Sequence, residues 1–77
     1  MLRKGMIWMP MDKKDQLAEL ISNAETSFYN GQLQEAFSLS LSAIKLDENC
    51  ADAYQYAANV CMSLSRYEDA IEYYQKV

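Results

Sequence analysis

At 77 residues the chain is one small domain, and with 51% hydrophobic residues it can build a thin core that buries about 60–65% of its unfolded surface. Seven basic against eleven acidic residues give a net charge of −4, which argues against the clustered lysine and arginine that a phosphate-binding surface needs. With no histidine, no glycine-rich phosphate loop (only Gly5 and Gly31) and no metal-like cysteine spacing, the expectation is no enzyme, no metal and no cofactor.

Residues 1–11, MLRKGMIWMPM, read as an arm set apart from residues 12–77. The pair Arg3-Lys4 followed by apolar residues opens like a secretory signal, but the apolar core is too short, and Pro10 and charged residues follow at once. Two readings stand: a disordered arm, or an arm whose Ile7 and Trp8 pack on a neighbouring chain. No run is long enough to span a membrane. A first helix is predicted from near Asp12, an N-cap residue, with Asp15 three positions on adding negative charge to the first turn. Leu17, Leu20, Ile21, Ala24 and Phe28 fall on one helical stripe. Asn30-Gly31 ends the helix, Gly31 being free to take the left-handed conformation.

The next segment, about Leu33 to Leu46, carries a conflict. Phe37-Ser38-Leu39-Ser40-Leu41-Ser42 alternates like a strand, but Ala36, Ala43, Ile44 and Leu46 restore a helical face. A helix is the expectation. Asp47-Glu48-Asn49 breaks it, and Asn49 is expected to cap a third helix, with Asp52 three residues on. That helix runs from Cys50 or Ala51 to Leu64, with Tyr54, Ala57, Ala58 and Cys61 inward. Its paired alanines allow a neighbouring helix to approach closely. Ser65-Arg66-Tyr67-Glu68 reads as a capping box that opens a fourth helix. Cys61 reads as a core thiol. Cys50 sits at a helix start, where a thiolate is favoured, but no partner base is visible.

The chain repeats itself at a spacing of 34 residues. Ala70 falls on Ala36, Ala58 on Ala24, Tyr54 on Leu20, Cys61 on Ser27, Met62 on Phe28, Tyr67 on Leu33, Ile71 on Phe37, Val77 on Ala43 and, in the turn, Ser65 on Gly31. Such a repeat marks one structural unit used twice. The spacing and these residues resemble the tetratricopeptide repeat (TPR) family. In the second copy Tyr54 stands at the family's large aromatic position, Ala58 at its small one, and Tyr67, Ala70, Tyr74 and Val77 follow its second-helix spacing. The first copy fits at Leu20, Ala24, Gly31, Leu33, Ala36, Ala43 and Leu46, but Ser40 replaces an aromatic and Glu48 the usual proline. The resemblance covers roughly residues 17–77, as repeat one (about 17–50) and repeat two (about 51–77). It implies an all-α fold of four helices in antiparallel helix–turn–helix repeats. Such repeats bury their faces on neighbours, and about three plus a polar cap are usual. Two repeats without a cap imply either a piece of a longer protein, which is the expectation, or an open face covered by another chain.

By resemblance, the first helix of each repeat lines a groove that holds a peptide. The implied groove residues are Ile21, Glu25, Phe28 and Tyr29 in the first repeat, and Asp52, Gln55, Asn59, Met62 and Ser63 in the second. The expected function is a cytoplasmic protein- or peptide-binding module, with neither nucleic acid nor membrane as partner. The alternative is a self-associating assembly protein, or a TPR-like chaperone of secreted proteins. There a homodimer would form through the fourth helix (Ile71, Tyr74) or the arm (Ile7, Trp8). The carboxylate clamp of chaperone-binding TPR domains fits poorly. Asn59 matches one clamp position, but Ile21 and Glu25 stand where lysine and asparagine are required, and a glutamate there repels a carboxylate.

Overall fold

The computed structural model describes residues 12–77, which form four α-helices: α1 (Lys13–Tyr29), α2 (Leu33–Leu46), α3 (Ala51–Ser63) and α4 (Tyr67–Tyr74). Among the described residues there is no strand. Each helix packs against the next as an antiparallel hairpin, and α3 also touches α1. The expectations on Ile7 and Trp8 fall outside the described residues.

Local chemistry sets the helix ends. Asp12 caps α1, its Oδ1 accepting from the Asp15 amide at 2.9 Å. This satisfies one of the orphan donors of the first turn. The serine alternation does not make a strand. Ser40 is fully buried in α2, and its hydroxyl donates to the Ala36 carbonyl at 2.9 Å. Its polarity is thus satisfied within its own helix while Ser38 and Ser42 face solvent.

Two capping expectations need correction. Asn49 does not cap α3. Asp47 reaches it first, Oδ1 accepting from the Asn49 amide at 3.0 Å in a side-chain-closed turn, and Cys50 takes the cap position with no side-chain hydrogen bond. Ser65 likewise does not cap α4, whose cap position is held by Arg66. Ser65 has φ +64° and serves the end of α3, as Gly31 at φ +81° serves the end of α1. The two turns close with the same bonds. Gln32 N–H reaches the Ser27 carbonyl, and Arg66 N–H the Cys61 carbonyl, both at 2.8 Å. Each bond spans five residues and ends a helix with a left-handed residue, and this geometric demand outweighs the local capping pattern.

The core is built from small residues. Ala24, Ala36, Ala43, Ala53, Ala57, Ala58 and Ala70 are all fully buried, and the largest fully buried side chains are only Val60, Cys61 and Ser40. Alanine removes little apolar area from water, so cohesion comes from the close approach it permits between backbones. The larger side chains pack around these crossings. Tyr73 meets Phe37 edge-to-face at 6.2 Å and lies 6.4 Å from Tyr54, tying α4 to α2 and α3. The Arg66 guanidinium stands 5.6 Å from the centre of the Phe37 ring. With eight residues, α4 is too short to persist alone and depends on these contacts.

Candidate functional site

Between α1 and the start of α3 lies an open depression of about 430 Å³. Leu17, Ala18 and Ile21 supply apolar surface, Lys14 and Ser22 complete the α1 side, and Glu25, Cys50 and Asp52 close it. Glu25 and Asp52 therefore set two carboxylates against one ammonium, beside an apolar floor. Three of the nine sequence-derived groove residues, Ile21, Glu25 and Asp52, meet here.

The other six lie elsewhere on α1 and α3. Phe28 and Tyr29 stack edge-to-face at 5.4 Å at the end of α1, with Tyr29 73% exposed. Gln55, Met62 and Ser63 are exposed on α3. Asn59 is half-buried, and its Oδ1 accepts a hydrogen bond from the Tyr74 hydroxyl, which leaves its amide N–H₂ and one lone pair of the oxygen to offer a peptide.

The sequence reading missed Lys14, Leu17, Ala18, Ser22 and Cys50 in the depression. The signal was available, because 14, 18, 21 and 25 make a second helical stripe beside the one that packs inward. It also missed Tyr56. Burial first, and then the negative charge of Glu25, raise the Tyr56 phenol above its ordinary value. Burial also pushes the Cys61 thiol up, which keeps it protonated and unreactive near neutral pH. Among the described residues, no group of three or more acidic, cysteine or histidine side chains is placed to hold a metal, and no helix is long and apolar enough to cross a membrane.

A second surface runs along α4. Tyr67, Ile71 and Tyr74 form one stripe, continued by Val77, and are 56%, 55%, 43% and 60% exposed. Ile71 and Tyr74 were the sequence-derived self-association candidates. Tyr67 and Val77 were missed as part of the same stripe, although spacings of four, three and three reveal it. No family model, curated protein or solved structure matches the chain.

Proposed function

We propose that the chain is a TPR-like interaction module that binds a peptide segment of another protein along α1 and α3. The observation that carries this reading is the open depression where Ile21, Glu25 and Asp52 meet over Leu17 and Ala18. Its apolar floor accommodates one apolar anchor, and its carboxylates favour a lysine or arginine beside that anchor. The absence of histidine and the protonated state of Cys61 agree with a binding role rather than a catalytic one. An internal repeat of antiparallel hairpins suits such a role, because the helices hold a surface rigidly without spending residues on chemistry.

The test is selection from a displayed library of random peptides, followed by titration of the enriched peptides into isotopically labelled protein. Enriched peptides should carry an apolar–basic pair and should shift the amides around Ile21 and Asp52. They should lose about tenfold or more in affinity to Ile21→Asp, a loss of about 1.4 kcal/mol or more. If no peptide is enriched, or if the enriched ones bind Ile21→Asp as well as the parent chain, this reading fails.

A further inference from the structure

Four side chains that the repeat itself does not require meet at one end of the α1–α3 depression. Glu25 and Tyr29 stand four residues apart on α1, and Asp52 and Tyr56 four apart on α3, so each carboxylate shares a helix face with a phenol ring. The two pairs adjoin. Glu25 and Asp52 both line the depression, and after burial the groups that raise the Tyr56 phenol are Glu25, Tyr29 and Asp52. At the 34-residue spacing the counterparts of these four are Asn59, Ser63, Ala18 and Ser22, none of them acidic or aromatic. The two acid–phenol pairs therefore occur once, between the repeats, and hairpin packing does not account for them.

The charge of this corner is not answered by the chain's own cations. Among the described residues the one ion pair is Arg66 with Asp69, at 3.0 Å. Lys14 lines the same depression, but it precedes Glu25 by eleven residues, about 16 Å along the helix. Tyr29 is exposed beside Glu25, and Phe28 braces its ring edge-to-face.

We propose that Glu25, Tyr29, Asp52 and Tyr56 form a notch for an arginine of the bound peptide, in preference to lysine, and that this arginine lies two residues from an apolar anchor seated over Ile21 in an extended segment. The inference rests on the peptide-binding reading above and narrows it. Two carboxylates on different helices select a cation with several donors. The guanidinium is a planar fork of five N–H groups, which can bond both carboxylates at once while its face lies on a phenol ring. The lysine ammonium is a more strongly hydrated point charge with three donors, and it gives up more on leaving water. The spacing follows from the helix. Ile21 and Glu25 are one turn apart, about 6 Å, and alternate residues of an extended peptide point to the same side about 6.6 Å apart. A second copy is a poor source of this arginine, because Arg66 is already engaged by Asp69.

The probe is a short labelled serine–glycine peptide carrying leucine and, two residues on, arginine, with a twin in the reverse order, titrated into the full chain and followed by fluorescence anisotropy. Lysine, citrulline and a scrambled order replace the arginine motif in the controls. Saturable binding of one of the two orders is expected, about tenfold or more tighter than each control. Tyr29→Ala and Asp52→Asn should each bring the arginine-to-lysine ratio close to one. Both residues are exposed, so the variants should keep the parent's circular dichroism. If arginine and lysine peptides bind alike and both weaken with Ile21→Asp, the inference fails while the groove reading stands. If neither order binds, the inference fails, whatever the library selection returns for the groove. It also fails if the two variants keep the arginine preference, or if the scrambled peptide binds as well, since charge alone would then explain the attraction. A tenfold gain in affinity with Arg3→Ser would overturn it too, by making the chain's own residues 1–11 the occupant.

Discussion

Where α3 carries Ala53, Ala57 and Val60, α1 carries Glu19, Asn23 and Thr26. Where α2 carries Ser40 and Ala43, α4 carries Tyr74 and Val77. The hairpins share their turns, down to the 2.8 Å bond that closes each, yet among the described residues the outer faces of α1 and α4 differ. The α1 end is faced with groups that water satisfies; the Thr26 hydroxyl also donates to the Ser22 carbonyl at 3.0 Å. The α4 end is faced with apolar side chains that water does not satisfy. A repeat is therefore not a fixed unit with a fixed surface. The same backbone is given a polar or an apolar outer face by three or four substitutions on one stripe, and this gives the pair of repeats a direction.

The sharpest way to break that comparison is to move one residue across it. Ala57→Asn places at the buried position the residue that α1 carries at Asn23. The amide would lie among fully buried neighbours, and leaving it unpaired should cost about 1–3 kcal/mol. For described residues of this number, total stability of about 3–10 kcal/mol is ordinary, so the loss is large. The reciprocal change, Asn23→Ala, sits on an exposed helix face and should stabilise by up to about 0.7 kcal/mol through helix propensity alone. Urea unfolding of both variants decides. Equal effects at the two sites would mean that the two stripes do not differ in burial as described.

The helices themselves were legible. The stripes and breaks in the sequence place α1, α2, α3 and the start of α4 within a residue or so of where they lie, whereas α4, expected to run about eleven residues to Val77, ends at Tyr74; the 34-residue spacing overrules the strand-like alternation around Ser40. What misled was chemistry with two uses. Ser65 followed three residues later by Glu68 fits a capping box, and nothing local says that the turn requires a left-handed residue instead. Only its correspondence to Gly31 says so. Asn49 is as good a cap as any, but Asp47 lies two residues upstream and closes on its amide first. The depression was half legible, because Ile21, Glu25 and Asp52 were singled out by resemblance. The flooring residues Leu17 and Ala18 were read as core or passed over, since one helix can bury one stripe and expose another beside it.

The turns offer a second, smaller exchange. Gly31 and Ser65 hold the same left-handed conformation, which costs an L-residue about 1–2 kcal/mol, partly offset by the greater freedom glycine loses on folding. A Cβ at Gly31 would meet nothing within 4 Å, so Gly31→Ser tests backbone strain free of steric clash. It should destabilise by about 0.5–1 kcal/mol, while Ser65→Gly should stabilise by a similar amount. The double exchange should then be close to neutral in thermal melts. A destabilising Ser65→Gly would show that the serine side chain contributes something at that turn beyond occupying it.

The smallest effect separates the repeats by pH. Tyr56, Cys61 and Tyr73 of the second repeat all have raised pKa values, with burial the leading cause in each, and their counterparts Ser22, Ser27 and Leu39 have no proton to lose in this range. Folding thus favours the protonated phenol and thiol. That contribution is fully present below the ordinary values of 9.0 for the thiol and 10.0 for the phenols. As pH rises past them the unfolded chain releases its protons first, binds fewer than the folded chain, and gains relative to it. The melting temperature should accordingly fall from about pH 9 upward, on top of the general repulsion in an already acidic chain. Tyr73→Phe keeps the ring beside Phe37 and Tyr54 but removes the proton, so it should make that fall shallower. Amide exchange should show the loosening first in α3 and α4. If Tyr73→Phe leaves the slope unchanged, or if α1 and α2 open as early, alkaline loss does not originate in the second repeat's buried hydroxyl and thiol groups.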